Sequence, residues 1–434
     1  MSGTFSIKTL GCKLNQYESS KIAHDLAHAG WRSVPFGEPA DLVIVNTCTV
    51  TDRSDKKCRN YIRQGAGYSH SGLALVTGCL ARRDPGGLRA MPQVGALAAE
   101  SHRAELWRAI REVTGEDGPV PYTAEEISAP ENPCAPLPYL HTRGFLKIQD
   151  GCDGHCSYCV VPSVRGAPQS RDFGEILDHA RALIDHGCPE LVLTGITIGK
   201  YEHGGHDLSV LVEALCGLPG AFRVRITSIE PLHLNDRLIG LLGEGKVCPH
   251  IHLPLQSGSD RILAAMNRPY TAREYLEIIT NIRKKTPEIA IGTDIIVGYP
   301  GEEDPDFDES LAMIDRAGFA YVHQFSFSAR SGTPASIASG RVPAAKVRAR
   351  SGAMKRAGRD AGERYRAQFM GRILSCVIEK GRGSEGYTAV SDNYIKIGLP
   401  GGAPEIARAG IAARVLVTGL TPAGATGILA PAQD

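Results

Sequence analysis

The sequence predicts an α/β protein in three parts: an N-terminal open parallel α/β sheet domain, a central partial (β/α)6 barrel, and a small C-terminal antiparallel β-barrel. Three observations predict it. Short apolar runs resembling buried strands alternate with amphipathic stretches from Phe5 to Phe327. A Pro-rich polar stretch over 116–141 interrupts the alternation. After Gly371 the apolar period becomes two. The boundaries that follow are 1–115 for the first domain, 116–141 for a linker, 142–340 for the central barrel, 341–370 for a basic helical connector and 371–434 for the terminal barrel.

At 434 residues the chain is long enough for two to four cores, and 42% hydrophobic with 22% charged residues is an ordinary globular balance. No apolar run approaches the roughly 18 residues needed to cross a bilayer. Met1 to Phe5 lacks a signal-peptide pattern, so a cytoplasmic protein with no membrane partner is expected. In a reducing compartment, clustered cysteines among the 12 of this chain point to metal rather than disulfides. The net charge of +1 hides an asymmetry, because 341–370 holds nine Lys or Arg against two acidic residues.

In the first domain, Phe5 to Leu10 reads as a strand with Cys12 just beyond it. Asp41 to Asn46 (DLVIVN) is followed by Cys48, and Leu73 to Thr77 by Cys79. Open parallel sheets gather ligands along the carboxyl edge of their strands, so Cys12, Cys48 and Cys79 form a candidate three-thiolate site. Singly, each would be read as a core residue; the repetition argues otherwise. Cys58 falls on the helix after the second strand and is read as a bystander, and Cys134, in the linker, receives no role.

In the central part, strands are expected at Phe145 to Gln149, Glu190 to Thr194, Phe222 to Thr227, His250 to Leu255, Ile289 to Val297 and Tyr321 to Phe327. Helices are expected near Asp172 to His186, Leu208 to Cys216, Leu234 to Leu242, Ala272 to Lys285 and Pro305 to Ala317. Six such strands are two short of a full barrel, with the site at their carboxyl face. Directly after the first strand comes Cys152, Cys156 and Cys159 at C-x3-C-x2-C spacing. Structural zinc would want a fourth ligand, and a tight loop should turn His155 away. An iron-sulfur cube held by three cysteines fits better and leaves one iron open. Chance clustering of inert buried cysteines is the competing reading. Thr194, Gly195, Ser228, Glu230, Gln256, Ser257 and Asp294 should line the same cavity, while Cys188, Cys216 and Cys248 read as packing residues.

The stretch Arg341 to Met370 reads as a long helix weakened by Gly358 and Gly362, either a solvated face or a phosphate-binding one. Beyond it, strands are expected at Arg372 to Glu379, Glu385 to Val390, Asn393 to Ile397 and Ala412 to Thr418, with Cys376 a strand residue without partners.

These residues resemble a known family. Cys152, Cys156 and Cys159 match the cluster motif of radical S-adenosylmethionine (SAM) enzymes. The surroundings from Lys147 to Cys152, Pro162-Ser163-Val164-Arg165-Gly166 and Ser170-Arg171 look like the methylthiotransferases. Similar too are the stretches from Thr227 to Pro231, His252 to Ser259, Asp294 to Gly301 and Arg330 to Ala335. The resemblance implies a radical SAM barrel in the centre and a TRAM domain, a small tRNA-binding β-barrel, at the end. It also implies two 4Fe-4S clusters, one held by Cys152, Cys156 and Cys159 and one by Cys12, Cys48 and Cys79, with SAM as radical source and methyl donor. Tyr158, Gly195, Glu230 and Gln256 are then the expected SAM contacts. Tyr158 as a packing residue and Gly195 as a turn glycine are the alternatives. The branch resembled most, through TLGCKLN at Thr9 to Asn15, NTCTVT at Asn46 to Thr51 and LTGITIG at Leu193 to Gly199, acts on N6-threonylcarbamoyladenosine in tRNA. The other branches act on isopentenyl-adenosine in tRNA and on a ribosomal-protein aspartate. An electron donor such as a flavodoxin or ferredoxin is an implied partner.

Overall fold

A computed structural model of the chain describes residues 3–98, 103–115, 142–380, 386–399 and 410–431. The expected linker and Cys134 lie outside these residues. The chain packs as two units. One is Met1–Leu140 with Gly151–Asp153 and Cys159–Ala167, and the other is His141–Asp150 with Gly154–Tyr158 and Pro168–Asp434. The helical connector and the terminal barrel thus belong to the same unit as the central strands.

In the first unit five parallel strands lie in the order Arg32–Ser33, Thr4–Thr9, Leu42–Thr47, Ala74–Gly78 and Val94–Ala98. All residues of Leu42–Thr47 and Ala74–Gly78 are buried, as the continuous apolar runs require of central parallel strands. One apolar cluster on Phe5, Leu42, Ile44, Leu75 and Trp107 packs one part of the sheet, and a second, on Val45, Val76 and Ile62, packs another. The two outer strands escaped the sequence reading. Arg32–Ser33 is only two exposed residues, and Val94–Ala98 (VGALA) carries no β-branched run.

In the second unit all six expected strands are present, most of them shorter. Gly144–Lys147, Glu190–Thr194 and Arg223–Arg225 form one parallel sheet; His250–His252, Ala290–Val297 and Tyr321–Ser326 form another. A single parallel bridge, Ser228 to His252, joins them. The strand predicted from His250 to Leu255 ends early for a local reason. Pro254 has no N–H to donate, and the Leu255 N–H goes to the Thr293 hydroxyl at 3.0 Å instead of a ladder carbonyl. Helices Leu208–Cys216 and Ala272–Lys285 occupy the expected spans, and Phe173–Asp185, Asp236–Leu241 and Asp304–Ala317 lie within two residues of theirs.

The basic stretch is the helix Ala344–Ala367. Gly358 and Gly362 are not weak points in it but contact points: a Cβ on Gly358 would lie 2.9 Å from Val322 Cβ, and one on Gly362 2.8 Å from the Ala320 carbonyl oxygen. Several of its cations are spent internally. Arg350 pairs with Glu302 and Asp304, Lys346 with Asp304, and Arg364 with Asp315.

The terminal segment is a closed five-stranded barrel of Ile373–Lys380, Tyr387–Ser391, Lys396–Leu399, Gly424–Leu429 and Ala412–Thr421. Its ladders are antiparallel except one, in which Lys396–Leu399 pairs parallel with Gly424–Leu429. That closing strand (GATGIL) was missed because its glycines mask the alternation. The barrel is fastened to the amino ends of the central strands by one buried carboxylate. Glu190, with no exposed surface, accepts from Arg225 at 2.6 and 2.9 Å, Arg223 at 2.6 Å and Arg143 at 3.3 Å. Arg225 in turn donates to the carbonyls of Asp392 and Ser391, and Arg223 to those of Ser375 and Val390. Burial raises the Glu190 pKa, but the three guanidinium groups outweigh it and hold the carboxyl well below the ordinary range.

Candidate metal centre

In the first unit the three thiols stand where topology predicts, at the carboxyl ends of adjacent strands. Cys12 is the N-cap of helix Lys13–His28, Cys48 follows Leu42–Thr47, and Cys79 opens the short helix Cys79–Arg83. Two glycines set the approach. A Cβ on Gly11 (φ +108°) would lie 2.9 Å from Cys48 Cβ, and one on Gly78 (φ +91°) would lie 2.3 to 2.7 Å from Asn46 Oδ1 and the Thr47 backbone.

A polar network pins the strand ends together. Asn15 Oδ1 accepts from Cys12 Sγ at 3.1 Å, while Asn15 Nδ2 donates to Asn46 Oδ1 at 3.0 Å and to the Thr47 carbonyl at 2.9 Å. Asn46 Nδ2 returns a bond to the Asn15 carbonyl, and Thr47 Oγ1 donates to the Thr77 carbonyl at 2.6 Å. Cys58, expected to be a bystander, sits against Cys48. Its Sγ accepts from the Cys48 N–H and donates to the Cys48 carbonyl, both at 3.3 Å.

Within the same unit Arg165 donates from Nε to Cys79 Sγ at 3.2 Å and pairs with Glu18. Both charged side chains are buried, at 2% and 7% exposure. Burial pushes the Cys79 thiol up to about 12, against the pull of the Arg165 charge. A thiolate there needs a metal or another cation beside it, and sulfur donors with a guanidinium on one of them suit an anionic iron-sulfur group. Arg165 lies in the PSVRG motif, yet nothing in the sequence connects it with a cysteine 86 positions earlier.

The C-x3-C-x2-C loop is held by its backbone. The Cys152 N–H donates to the Gly166 carbonyl at 3.0 Å, and Val161 N–H to Cys159 Sγ at 3.4 Å. A Cβ on Gly151 would lie 2.0 Å from the Ala167 carbonyl oxygen, so only glycine fits before Cys152. In the second unit, Cys156 Sγ accepts from Arg268 Nη1 at 3.2 Å, and Arg268 pairs with Glu230. The His155 side chain is exposed and its carbonyl accepts from Asn267 Nδ2 at 2.9 Å. All three cysteines are partly exposed, and three sulfur donors on one loop suit a cube that keeps one iron open. Arg268 had no signal in the sequence at all.

The expected SAM contacts take the following places. Tyr158 packs beside Met266, Tyr299 and Ala335. The Cβ face of Gly195 is filled by its own chain, with the Gln149 carbonyl oxygen and Ile198 Cγ2 each 2.7 Å from a Cβ placed there. Glu230 is engaged by Arg268. Gln256 adopts φ +73°, rare for a non-glycine residue, and is held there by its N–H to the Asp294 carbonyl and its carbonyl from the Ile296 N–H, at 2.8 and 2.9 Å. Gln149, missed earlier, uses Oε1 to accept from the N–H groups of Ile196 and Thr197 at 3.1 and 2.7 Å, fixing the turn after Glu190–Thr194.

Known proteins agree with this layout. The Radical SAM superfamily matches residues 146–314, and an uncharacterized protein family, UPF0004, matches residues 4–98. The threonylcarbamoyladenosine tRNA methylthiotransferase MtaB of Bacillus subtilis (strain 168) is 32% identical over 408 residues, 92% of this chain and 90% of that protein. The tRNA-2-methylthio-N(6)-dimethylallyladenosine synthase of Cereibacter sphaeroides (strain ATCC 17025 / ATH 2.4.3) is 33% identical, covering 96% of each. Among solved structures, the radical S-adenosylmethionine methyltransferase TsrM from Kitasatospora setae shares the fold with a TM-score of 0.56 at 15% identity, over 78% of this chain and 77% of that one. With both domain matches in place and relatives aligned along nearly its whole length, the chain belongs to the radical SAM methylthiotransferase family.

Proposed function

We propose that this protein attaches a methylthio group to carbon 2 of N6-threonylcarbamoyladenosine next to the anticodon of tRNA, with SAM as both radical source and methyl donor. The observation that carries the reading is the pair of three-cysteine sets, each one ligand short of a cube and each with an arginine N–H on a sulfur. An aromatic ring carbon offers neither an acidic proton nor a leaving group, and the radical chemistry that SAM on a cluster supplies is what such a carbon requires.

Cys152, Cys156 and Cys159 would hold the cluster that binds SAM, and Cys12, Cys48 and Cys79 the second cluster. Arg268 and Arg165 would each place a fixed positive charge beside cluster sulfur, favouring the more reduced, more negative state. Tyr158, Gly195, Glu230 and Gln256 are the residues proposed to orient SAM. The tRNA would be gripped by the terminal barrel and by the exposed Arg348, Lys355 and Arg356 of the connecting helix, which position phosphates without reading sequence. A flavodoxin or ferredoxin is the proposed electron donor. Among the described residues no helix is long and apolar enough to cross a membrane.

The relative from Cereibacter sphaeroides, as similar as the MtaB proteins, supports a second reading in which the substrate is N6-dimethylallyladenosine in tRNA. Mass spectrometry of tRNA nucleosides from cells lacking the protein separates the two. Loss of the methylthiolated threonylcarbamoyl nucleoside alone supports the first reading, loss of the dimethylallyl one the second, and an unchanged profile removes both.

A further inference from the structure

Besides the cysteines, two histidines and a carboxylate converge on one face of the second parallel sheet. His252, Asp294 and His323 stand on the adjacent strands His250–His252, Ala290–Val297 and Tyr321–Ser326, with Asp294 in direct register with His323. The alternate residues Ile251, Ile291, Ile295 and Val297 go to the apolar clusters on the other side.

Asp294 Oδ1 is 3.1 Å from His252 Nε2 and 3.3 Å from His323 Nδ1, and the three ligand atoms lie within 4.8 Å of one another. Zinc bonds of about 2.0 to 2.1 Å in a tetrahedral shell put neighbouring ligand atoms about 3.3 to 3.4 Å apart, close to the two distances from Asp294. The second ring nitrogen of His252 is already engaged: Nδ1 lies 3.3 Å from the Tyr321 hydroxyl, which lies 2.9 Å from His250 Nε2. A chain in which His252 Nδ1–H donates to Tyr321 and the Tyr321 O–H donates to His250 satisfies both contacts. Metal binding would draw on that tautomer, in which the Nε2 lone pair faces Asp294; in the reverse chain Tyr321 donates to His252 and Nε2–H donates to Asp294. Side-chain exposure rises from 8% at His252 through 25% at Asp294 to 57% at His323, which gives an ion a way in. His323 also lines a cavity of about 260 Å³ with Tyr321, Tyr394, Arg366 and Lys396.

We infer that His252, Asp294 and His323 form a binding site for one divalent transition-metal ion of the zinc class, separate from both cysteine triads, with a position left open for an oxygen ligand. Two imidazoles and a carboxylate with no thiolate select such an ion over calcium or magnesium, and over an iron-sulfur group.

The test uses the full chain with both cysteine sites reconstituted anaerobically with iron and sulfide, so that thiols do not capture the probe. After equilibration with zinc and dialysis, a single zinc per chain should remain, and its X-ray absorption should show nitrogen and oxygen near 2.0 to 2.1 Å with no sulfur near 2.3 Å. His323→Ala, at an exposed position, should weaken zinc binding at least about tenfold at unchanged iron content and unchanged thermal melting. Asp294→Asn provides a second variant that removes the bridging charge with little change in shape. No retained zinc, a sulfur shell, or equal zinc affinity in wild type and His323→Ala overturns the assignment.

Discussion

Cys12, Cys48 and Cys79 are drawn from three strand ends between positions 12 and 79, whereas Cys152, Cys156 and Cys159 sit within eight residues of one loop. The first set is built by tertiary structure, through a parallel sheet, two glycines at positive φ and an Asn15–Asn46–Thr47 network that ties the strand ends together. The second is built by local sequence, through tight turns and backbone bonds. Each has an arginine paired with a glutamate and donating to a sulfur, but the settings differ. Arg165 and Glu18 are both buried, at 2% and 7% exposure, while Arg268 at 3% faces a Glu230 that is 35% exposed. The charge pair beside the sheet triad is shut away from water, and the one beside the loop meets solvent at Glu230.

The largest expected effects test the division of labour. Replacing Cys152, Cys156 and Cys159 together by Ala should abolish both SAM cleavage and methylthiolation. Replacing Cys12, Cys48 and Cys79 should abolish only methylthiolation. Each should lower iron from about eight to about four per chain. Loss of SAM cleavage in both variants would collapse the distinction.

A smaller effect sharpens the electrostatic contrast. Glu18→Gln leaves a buried guanidinium half-compensated and should cost about 3 to 5 kcal/mol in denaturant unfolding of the first unit. The partly exposed Glu230→Gln should cost about 1 kcal/mol or less, because water screens what remains. Equal costs would mean that the two settings are energetically alike.

Gly78→Ala probes whether the sheet triad is as tightly built as its contacts indicate. A methyl group 2.3 to 2.7 Å from Asn46 and Thr47, at φ +91°, cannot be placed without moving a strand end. A loss of about 2 to 3 kcal/mol is expected, with iron falling toward that of the first triple variant. Full iron and unchanged stability would show instead that the strand ends yield.

The smallest effect separates both triads from RNA binding. Changing Arg348, Lys355 and Arg356 to Gln should reduce the slope of log affinity against log salt for tRNA by about 2, at about 0.7 per lost phosphate contact to single-stranded RNA. SAM cleavage should be unaffected. An unchanged salt slope would move the RNA grip elsewhere on the molecule.

Much of this was legible in the sequence. DLVIVN announced a buried central strand, and the repetition of Cys12, Cys48 and Cys79 after strands announced their place at the carboxyl edge of the sheet, where parallel sheets expose ligands. Short elements were not legible. Arg32–Ser33 and GATGIL carry too few apolar side chains to show a period, and their pairing comes from neighbouring backbone. Gly358 and Gly362 were misjudged for a related reason. Propensity treats glycine as a weakness, whereas packing of their helix on Val322 and Ala320 requires it.

Sequence by itself determined the fold class and the order of the longer elements, and it supplied the six cysteines as candidate ligands, since these depend on period and spacing along the chain. Only tertiary structure decided which charges stand beside which sulfurs, how Glu190 fastens the barrel, and that His252, Asp294 and His323 meet. Such contacts join residues tens to more than a hundred positions apart. A guanidinium or imidazole at one position carries no mark of the partner that folding will bring to it.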